Sequence, residues 1–355
     1  MNIVITGGAG FVGSSLACRF KAANPTATVT ACDNLKRRGS ELILARLRAA
    51  GVAFVHGDVR VLSDIEACGP FDLLLECSAE PSVHAGYGGS PDYVVQTNLV
   101  GTYNCLEAAR RHGARVVFLS TSRVYPIAAV QALPLQESGK RLVIKPGASG
   151  PGWSEQGITT DFPLSGSRSL YGATKLCSEH LAEEYAAIYG LGIIVNRCGV
   201  LAGPWQMGKV DQGFLSLWCI RHIYGGKLMY TGFGGQGYQV RDVLHVDDLY
   251  DLLAKQVAAL NPGSYALYNA GGGNGNAISP SELTDLCRQQ AGALELQIGA
   301  DPTTKAADIP WYVTDNAAVT AAFGWRPQRD IPTLVGDVFA WLRTNRAQLE
   351  PILTA

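Results

Sequence analysis

The sequence predicts an α/β protein: a doubly wound parallel sheet followed by a smaller C-terminal domain. Three observations predict it. Short apolar, largely β-branched runs alternate with longer amphipathic stretches through the first half of the chain. The runs are nearly continuous, as strands covered on both faces require. A glycine-rich turn joins the first run to the first amphipathic stretch.

Taken in order, strands are expected at 3–6, 27–32, 53–56, 72–75, 115–120 and 193–197, and helices at 11–23, 41–50, 91–112 and 171–189. Residues 135–167 break the pattern. "KPGASGPGW" is rich in Gly and Pro and has no periodicity, so this stretch is expected to be an irregular excursion with a functional task. After residue 199 the alternation weakens, and helices are expected near 212–225, 246–260, 279–291 and 331–345. The expected division is residues 1–198 for the sheet domain and 199–355 mainly for the second domain. Part of the latter, about 242–271 and including "YALYNAGGG", returns to the first.

The 355 residues are ample for two domains. A net charge of -1 gives no global reason to expect nucleic acid or an anionic membrane as partner. No apolar run approaches the ~20 residues of a membrane span. Nine cysteines lie singly between Cys18 and Cys287 without a CxxC pair, which fits reduced, buried thiols. Six histidines show no HExxH spacing, so no catalytic metal is expected. Met1 runs straight into "NIVITGG" without a leader pattern, and a cytoplasmic protein is the expectation.

"IVITGGAGFVG" sets Gly7, Gly10 and Gly13 three residues apart, after a strand and before a helix. Glycine lets such a turn tighten and lets a pyrophosphate approach the backbone and the helix N-terminus, which here includes Phe11 and Val12. Asp33 ends the next strand about 20 residues later, where an acid grips a ribose 2′-hydroxyl. The sheet is therefore expected to be Rossmann-type and to bind NAD. The Asp33 carboxylate would repel the 2′-phosphate of NADP, although Lys36, Arg37 and Arg38 follow closely.

"FLSTSRVY" carries Ser120, Thr121 and Ser122 to the same sheet edge, and "YGATK" places Tyr171 and Lys175 one helical turn apart. A free phenol has a pKa near ~10, and a neighbouring ammonium stabilises its anion. Tyr171 is then the candidate base, Lys175 its activator and Thr121 the group that holds the substrate oxygen while hydride leaves the carbon.

These residues resemble the extended short-chain dehydrogenase/reductase superfamily. TGGAGFVG, the Asp33-Asn34 pair, GDVR, NLVGT, STSRVY, YGATK and RDVLHVDD come in that superfamily's order over nearly the whole chain. The resemblance implies tightly held NAD and a C-terminal domain for a nucleotide-activated sugar. It assigns Asn34, Asp58, Val59, Ser78, Ala79, Asn98 and Ser120, with Tyr171 and Lys175, to the cofactor. Ser122, Arg123, Gln206, Gln212, Arg241 and Lys305 fall to the substrate, with Arg241 on its pyrophosphate. The long excursion and "GPWQMGKVDQGF" are similar to the CDP-tyvelose (CDP-paratose) 2-epimerase branch. That branch oxidises a sugar carbon, turns the ketone and reduces it from the opposite face. Departures are Trp205 for a usual arginine, Lys305 for a phosphate-binding arginine, Val200 for a polar residue and Pro126 after Tyr125.

Nucleotide-sugar 4,6-dehydratases share most of these motifs but place Asp-Glu after the threonine, where this chain has Ser122-Arg123. The motifs leave two further readings open: a sugar dehydrogenase or reductase, and a non-catalytic NAD sensor. The resemblance also implies a homodimer paired through helices 91–112 and 171–189. Asp211 and Gln212 would read sugar hydroxyls or cap a helix, Trp311 and Tyr312 would stack on the base or pack in the core, and His245 would order a turn.

Overall fold

Each strand of the first half splits its side chains between two helical layers, with a period of two. The computed structural model describes residues 1–208, 212–292 and 296–354. Its first units are β1 (Asn2–Thr6), α1 (Phe11–Ala23), β2 (Thr28–Asp33), α2 (Ser40–Ala49), β3 (Ala53–His56), α3 (Leu62–Glu66) and β4 (Leu73–Glu76). Then come α4 (Asp92–Val95), α5 (Gly101–His112), β5 (Arg115–Thr121) and α6 (Ile127–Gln131). The excursion holds β6 (Leu135–Ser138), β7 (Arg141–Ile144), β8 (Trp153–Ser154) and β9 (Gly157–Ile158). After it lie α7 (Leu170–Tyr189), β10 (Ile193–Cys198), β11 (Val200–Ala202), α8 (Phe214–Tyr224), β12 (Leu228–Thr231), β13 (Val240–His245), α9 (Val246–Ala259) and β14 (Tyr265–Ala270). The chain closes with β15 (Ala277–Ile278), α10 (Pro280–Ala291), β16 (Ile298–Asp301), β17 (Trp311–Tyr312), α11 (Ala317–Phe323), α12 (Ile331–Thr344) and α13 (Arg346–Leu353).

Seven strands form one parallel sheet in the order β14-β10-β5-β4-β1-β2-β3. The order reverses between β1 and β4, which opens a crevice at their carboxyl ends. Ile3, Ile5, Leu73, Leu75, Val117 and Leu119 face α1, α2 and α9, where they meet Leu16, Phe20, Leu47 and Leu252. Val4, Leu74, Val116 and Phe118 face α5 and α7, against Leu106, Ala109, Ala182 and Ala186. A third cluster joins α8, α10 and α12 through Leu215, Ile220, Leu283, Val338 and Trp341. The "YALYNA" run is the edge strand beside β10.

Two expectations about local structure are corrected. The helix expected over 91–112 is broken by a π-helical turn, Gln96–Val100. There Asn98 turns inward and its amide clasps Glu80, accepting from the backbone N–H (2.8 Å) and donating to the carbonyl (3.1 Å). A local change of winding that aims one side chain is a common device at functional sites. The excursion is not structureless: β6 pairs with β7 and β8 with β9, both antiparallel. Its strands have two to four residues each ("LQES", "RLVI", "WS", "GI"), too short for an apolar period to mark them.

Candidate active site

The crevice begins at the turn after β1. Gly7 has φ +63, and a Cβ there would lie 2.8 Å from the Cys77 carbonyl oxygen at the end of β4. A Cβ on Gly13 would overlap the Gly7 carbonyl oxygen. The first intrahelical bond of α1 runs from Ser14 N–H to Gly10 O (3.1 Å), so the N–H groups of Phe11, Val12 and Gly13 precede the ladder and face the crevice mouth. This bare-backbone helix start fits a pyrophosphate. Gly13→Ala is expected to abolish NAD retention and to lower the melting temperature, read by nucleotide content of the purified protein and by calorimetry.

Asp33 closes the far side. Its Oδ2 accepts Ala9 N–H (3.1 Å) and its Oδ1 accepts Leu35 N–H (2.8 Å), so it ties the glycine turn to the loop after β2. Burial pushes its carboxyl up, and these two bonds pull it down. Asn34 donates to Asp58 Oδ2 (2.9 Å), and the Arg60 guanidinium holds the Asp58 carboxyl well below its usual range. Val59 is buried, touches Gly101 and accepts from Asn104 through its carbonyl (2.9 Å). Lys36 lies over the Tyr93 ring. Arg37 donates to Met207 O (2.8 Å) and to Gln212.

The chemical groups meet where β5 ends. Thr121 is buried, and its Oγ1 accepts Arg123 N–H (3.1 Å), which leaves the hydroxyl proton for another acceptor. Ser169 caps α7 by accepting Gly172 N–H (3.3 Å). A Cβ on Gly172 would overlap the Arg123 carbonyl oxygen, so glycine lets α7 start against the Ser122–Val124 turn. Tyr171 therefore stands beside Arg123, and among the described residues no hydrogen bond engages its hydroxyl. Lys175, one turn on, is 2% exposed. Its ammonium is turned to the strand ends: Leu119 O at 3.0 Å, Ser78 O at 3.5 Å and Glu76 Oε2 at 3.6 Å. Among the described residues Ser78 Oγ is buried without a hydrogen-bond partner, and Ala79 is half-buried beside it.

Ser120 points the other way from the crevice, to Glu179 inside the α7 face. Glu179 also accepts the Arg197 fork, with Nε at 3.0 Å and Nη2 at 2.7 Å from Oε2. Arg197 reaches the Tyr125 hydroxyl (3.4 Å), which donates to Asn269 Oδ1 (2.7 Å). Sequence reasoning passed over this buried network. Its signal was the polar end of "IIVNRC", a strand buried throughout.

The residues expected to meet a substrate divide. Arg123 donates to Ala307 O (3.3 Å) and Arg241 to Val240 O (2.7 Å) and Ile309 O (2.6 Å), so both guanidiniums line the 307–309 segment. Burial and the neighbouring Arg123 charge push Arg241 down to about 9. Ser122 is half-buried next to them in sequence. Gln206 is not brought to this wall: its amide closes its own turn, donating to Leu201 O (2.9 Å) and accepting from Ser216 (2.5 Å). Gln212 sits with Arg37 on the β2 side, Lys305 is exposed, and Asp211 lies outside the described residues. Trp311 and Tyr312 are buried in β17, and Tyr312 stacks on Tyr125 (6.1 Å), so packing wins over base stacking. His245 caps α9 by accepting Asp247 N–H (3.0 Å). Among the described residues no His, Cys, Asp and Glu side chains group to hold a metal, and no helix is long and apolar enough to cross a membrane.

Comparison with known proteins adds four findings. A family model, the NAD dependent epimerase/dehydratase family, matches residues 3–271. Among curated proteins the chain is 28% identical to a CDP-paratose 2-epimerase of Salmonella typhi, over 96% of this chain and 99% of that one. It is 30% identical to a dTDP-glucose 4,6-dehydratase of an Actinoplanes species, over 98% and 99%. Among solved structures, a dTDP-glucose 4,6-dehydratase of Streptomyces venezuelae with NAD bound has a TM-score of 0.77 and 26% identity, over 99% of this chain and all of that one.

Proposed function

The chain belongs to the NAD dependent epimerase/dehydratase family, and from that premise we propose that it epimerises a nucleotide-activated sugar, at C2 of a CDP-sugar. The observation that carries this reading is the junction of β5 with α7. It brings Thr121, Tyr171 and Arg123 together and offers Ser122-Arg123 directly after the threonine. Neither side chain is a carboxylic acid that would protonate a leaving hydroxyl, so elimination of water lacks its acid at these positions.

NAD, when bound, accepts a hydride from the sugar carbon and gives it back. Gly7, Gly10, Gly13 and the first turn of α1 would hold its pyrophosphate, and Asp33 its adenosine ribose, in preference to a 2′-phosphate. Tyr171 takes the proton of the sugar hydroxyl and later returns it. Thr121 donates its hydroxyl hydrogen bond to the same oxygen. Arg241 and Arg123 hold the diphosphate, and residues 199–355 mainly form the sugar-nucleotide side. A homodimer is part of the proposal: Tyr103 on α5 and Ile188 and Tyr189 on α7 are exposed on adjoining helices. All nine thiols are unpaired, which supports a cytoplasmic setting.

The test is a panel of nucleotide sugars turned over in deuterated water without added NAD. The expected product is an epimer free of solvent deuterium at carbon. Solvent label at carbon, or a deoxy-keto product, overturns epimerisation in favour of the dehydratase reading.

A further inference from the structure

The period of β4 sets a carboxylate where the core wants an apolar side chain. Val4 and Thr6 on β1, Leu74 and Glu76 on β4, and Val116 and Phe118 on β5 alternate toward the layer of α5 and α7, with Thr6, Glu76 and Phe118 in register. Glu76 ends the run "LLLE" and is 1% exposed. Among the described residues neither of its oxygens has a partner at regular hydrogen-bond distance, nor has the facing Thr6 hydroxyl; burial pushes the Glu76 carboxyl up, and the Lys175 ammonium and the Ser78 backbone draw it down. An ionised carboxylate in such a place needs a counter-charge. Among the described residues the side chain that meets it is Lys175, 3.6 Å away.

An ammonium has three protons to donate. Those of Lys175 face Leu119 O, Ser78 O and Glu76 Oε2, at 3.0, 3.5 and 3.6 Å. At 3.6 Å the Glu76 contact is an ion pair just outside hydrogen-bond distance, and it is the one of the three that joins opposite charges in a buried place. A cofactor hydroxyl held by Lys175 would take a donor from this set. The other groups near the pair add no charge: burial pushes the Cys77 and Cys105 thiols up, Cys198 is pushed up to about 12, and Glu179 is neutralised by Arg197.

We propose that Glu76 is a positioning residue that retains the Lys175 ammonium at the end of β4, so that this lysine turns to the cofactor only by leaving its carboxylate. The cost of leaving is a buried, unpaired anion, and it falls on cofactor binding. Glu76 thus weakens the grip on NAD while it keeps the Lys175 side chain in place without it. The proposal rests on the assignment of Lys175 to the cofactor.

The test is a double-mutant cycle on the full-length chain freed of nucleotide, with NAD affinity read by calorimetry. Glu76→Gln is expected to tighten NAD binding about tenfold, within the usual range for coupled sites. Lys175→Met is expected to weaken it, and in the Lys175→Met background Glu76→Gln is expected to have no effect. Unchanged or weaker binding by Glu76→Gln overturns the proposal, as does an equal effect in both backgrounds. Should Lys175→Met bind NAD as tightly as the parent, it is the assignment of Lys175 that fails. Glu76→Asp keeps the charge but withdraws it by one methylene, and serves if the glutamine variant does not fold. It is expected to bind NAD more tightly than the parent, and equal or weaker binding again overturns the proposal.

Discussion

Tyr171→Phe is expected to yield a folded protein that binds NAD and turns over its sugar nucleotide about 10²–10⁴-fold more slowly, the span of a lost general acid–base group. The substitution removes one oxygen. No hydrogen bond among the described residues engages that oxygen, so its loss leaves no buried partner unsatisfied. The ring stays where α7 starts on the Arg123 carbonyl. Stability and cofactor content should therefore match the parent while the chemical step fails. Single-turnover kinetics beside a melting curve would read both, and an unaltered rate would remove Tyr171 from the role of base.

Glu179→Ala is expected to cost about 3–5 kcal/mol of stability, because it strands a buried guanidinium. The Glu179 and Arg197 side chains are 2% and 4% exposed. Glu179 takes three N–H···O contacts from Arg197 and one from Ser120. Without it, among the described residues, Arg197 keeps only the Tyr125 hydroxyl, at 3.4 Å, as a side-chain hydrogen-bond partner. The pair also ties α7 to β10, so Tyr171 and Lys175 should lose their placement and activity should fall with stability. Glu179→Gln retains one acceptor and should lie between. Urea unfolding of the three proteins checks this, and an unchanged midpoint for the alanine variant refutes it.

The central sheet was legible because its strands are apolar on both faces, and α1 begins and ends at the residues its pattern marks, Phe11 and Ala23. The glycine turn and the Thr121–Tyr171 junction were legible for a different reason: their geometry is set by backbone contacts that tolerate few residue types. What escaped was set by contacts between distant segments. Asn98 unwinds a helix because Glu80, 18 positions earlier, offers it a backbone. Gln206 resembles a substrate ligand in its motif, yet its amide closes a turn. Trp311 and Tyr312 are aromatic in either reading, and only the strand beside Val240 and Arg241 decides for the core. Glu76 is one letter after three leucines, and its meaning depends on a lysine 99 positions away.

The overlap that a methyl group on Gly172 would make with the Arg123 carbonyl has a practical consequence for redesign. The wall that carries the proposed base, Tyr171, and the wall that presents Thr121 are one welded part, with no slack for a bulkier or re-angled sugar. New specificity would have to be sought on the opposing bank, in the 307–309 stretch that Arg123 and Arg241 only pin by single bonds. A library confined to that bank should change which sugar is accepted long before it disturbs how the carbon is oxidised.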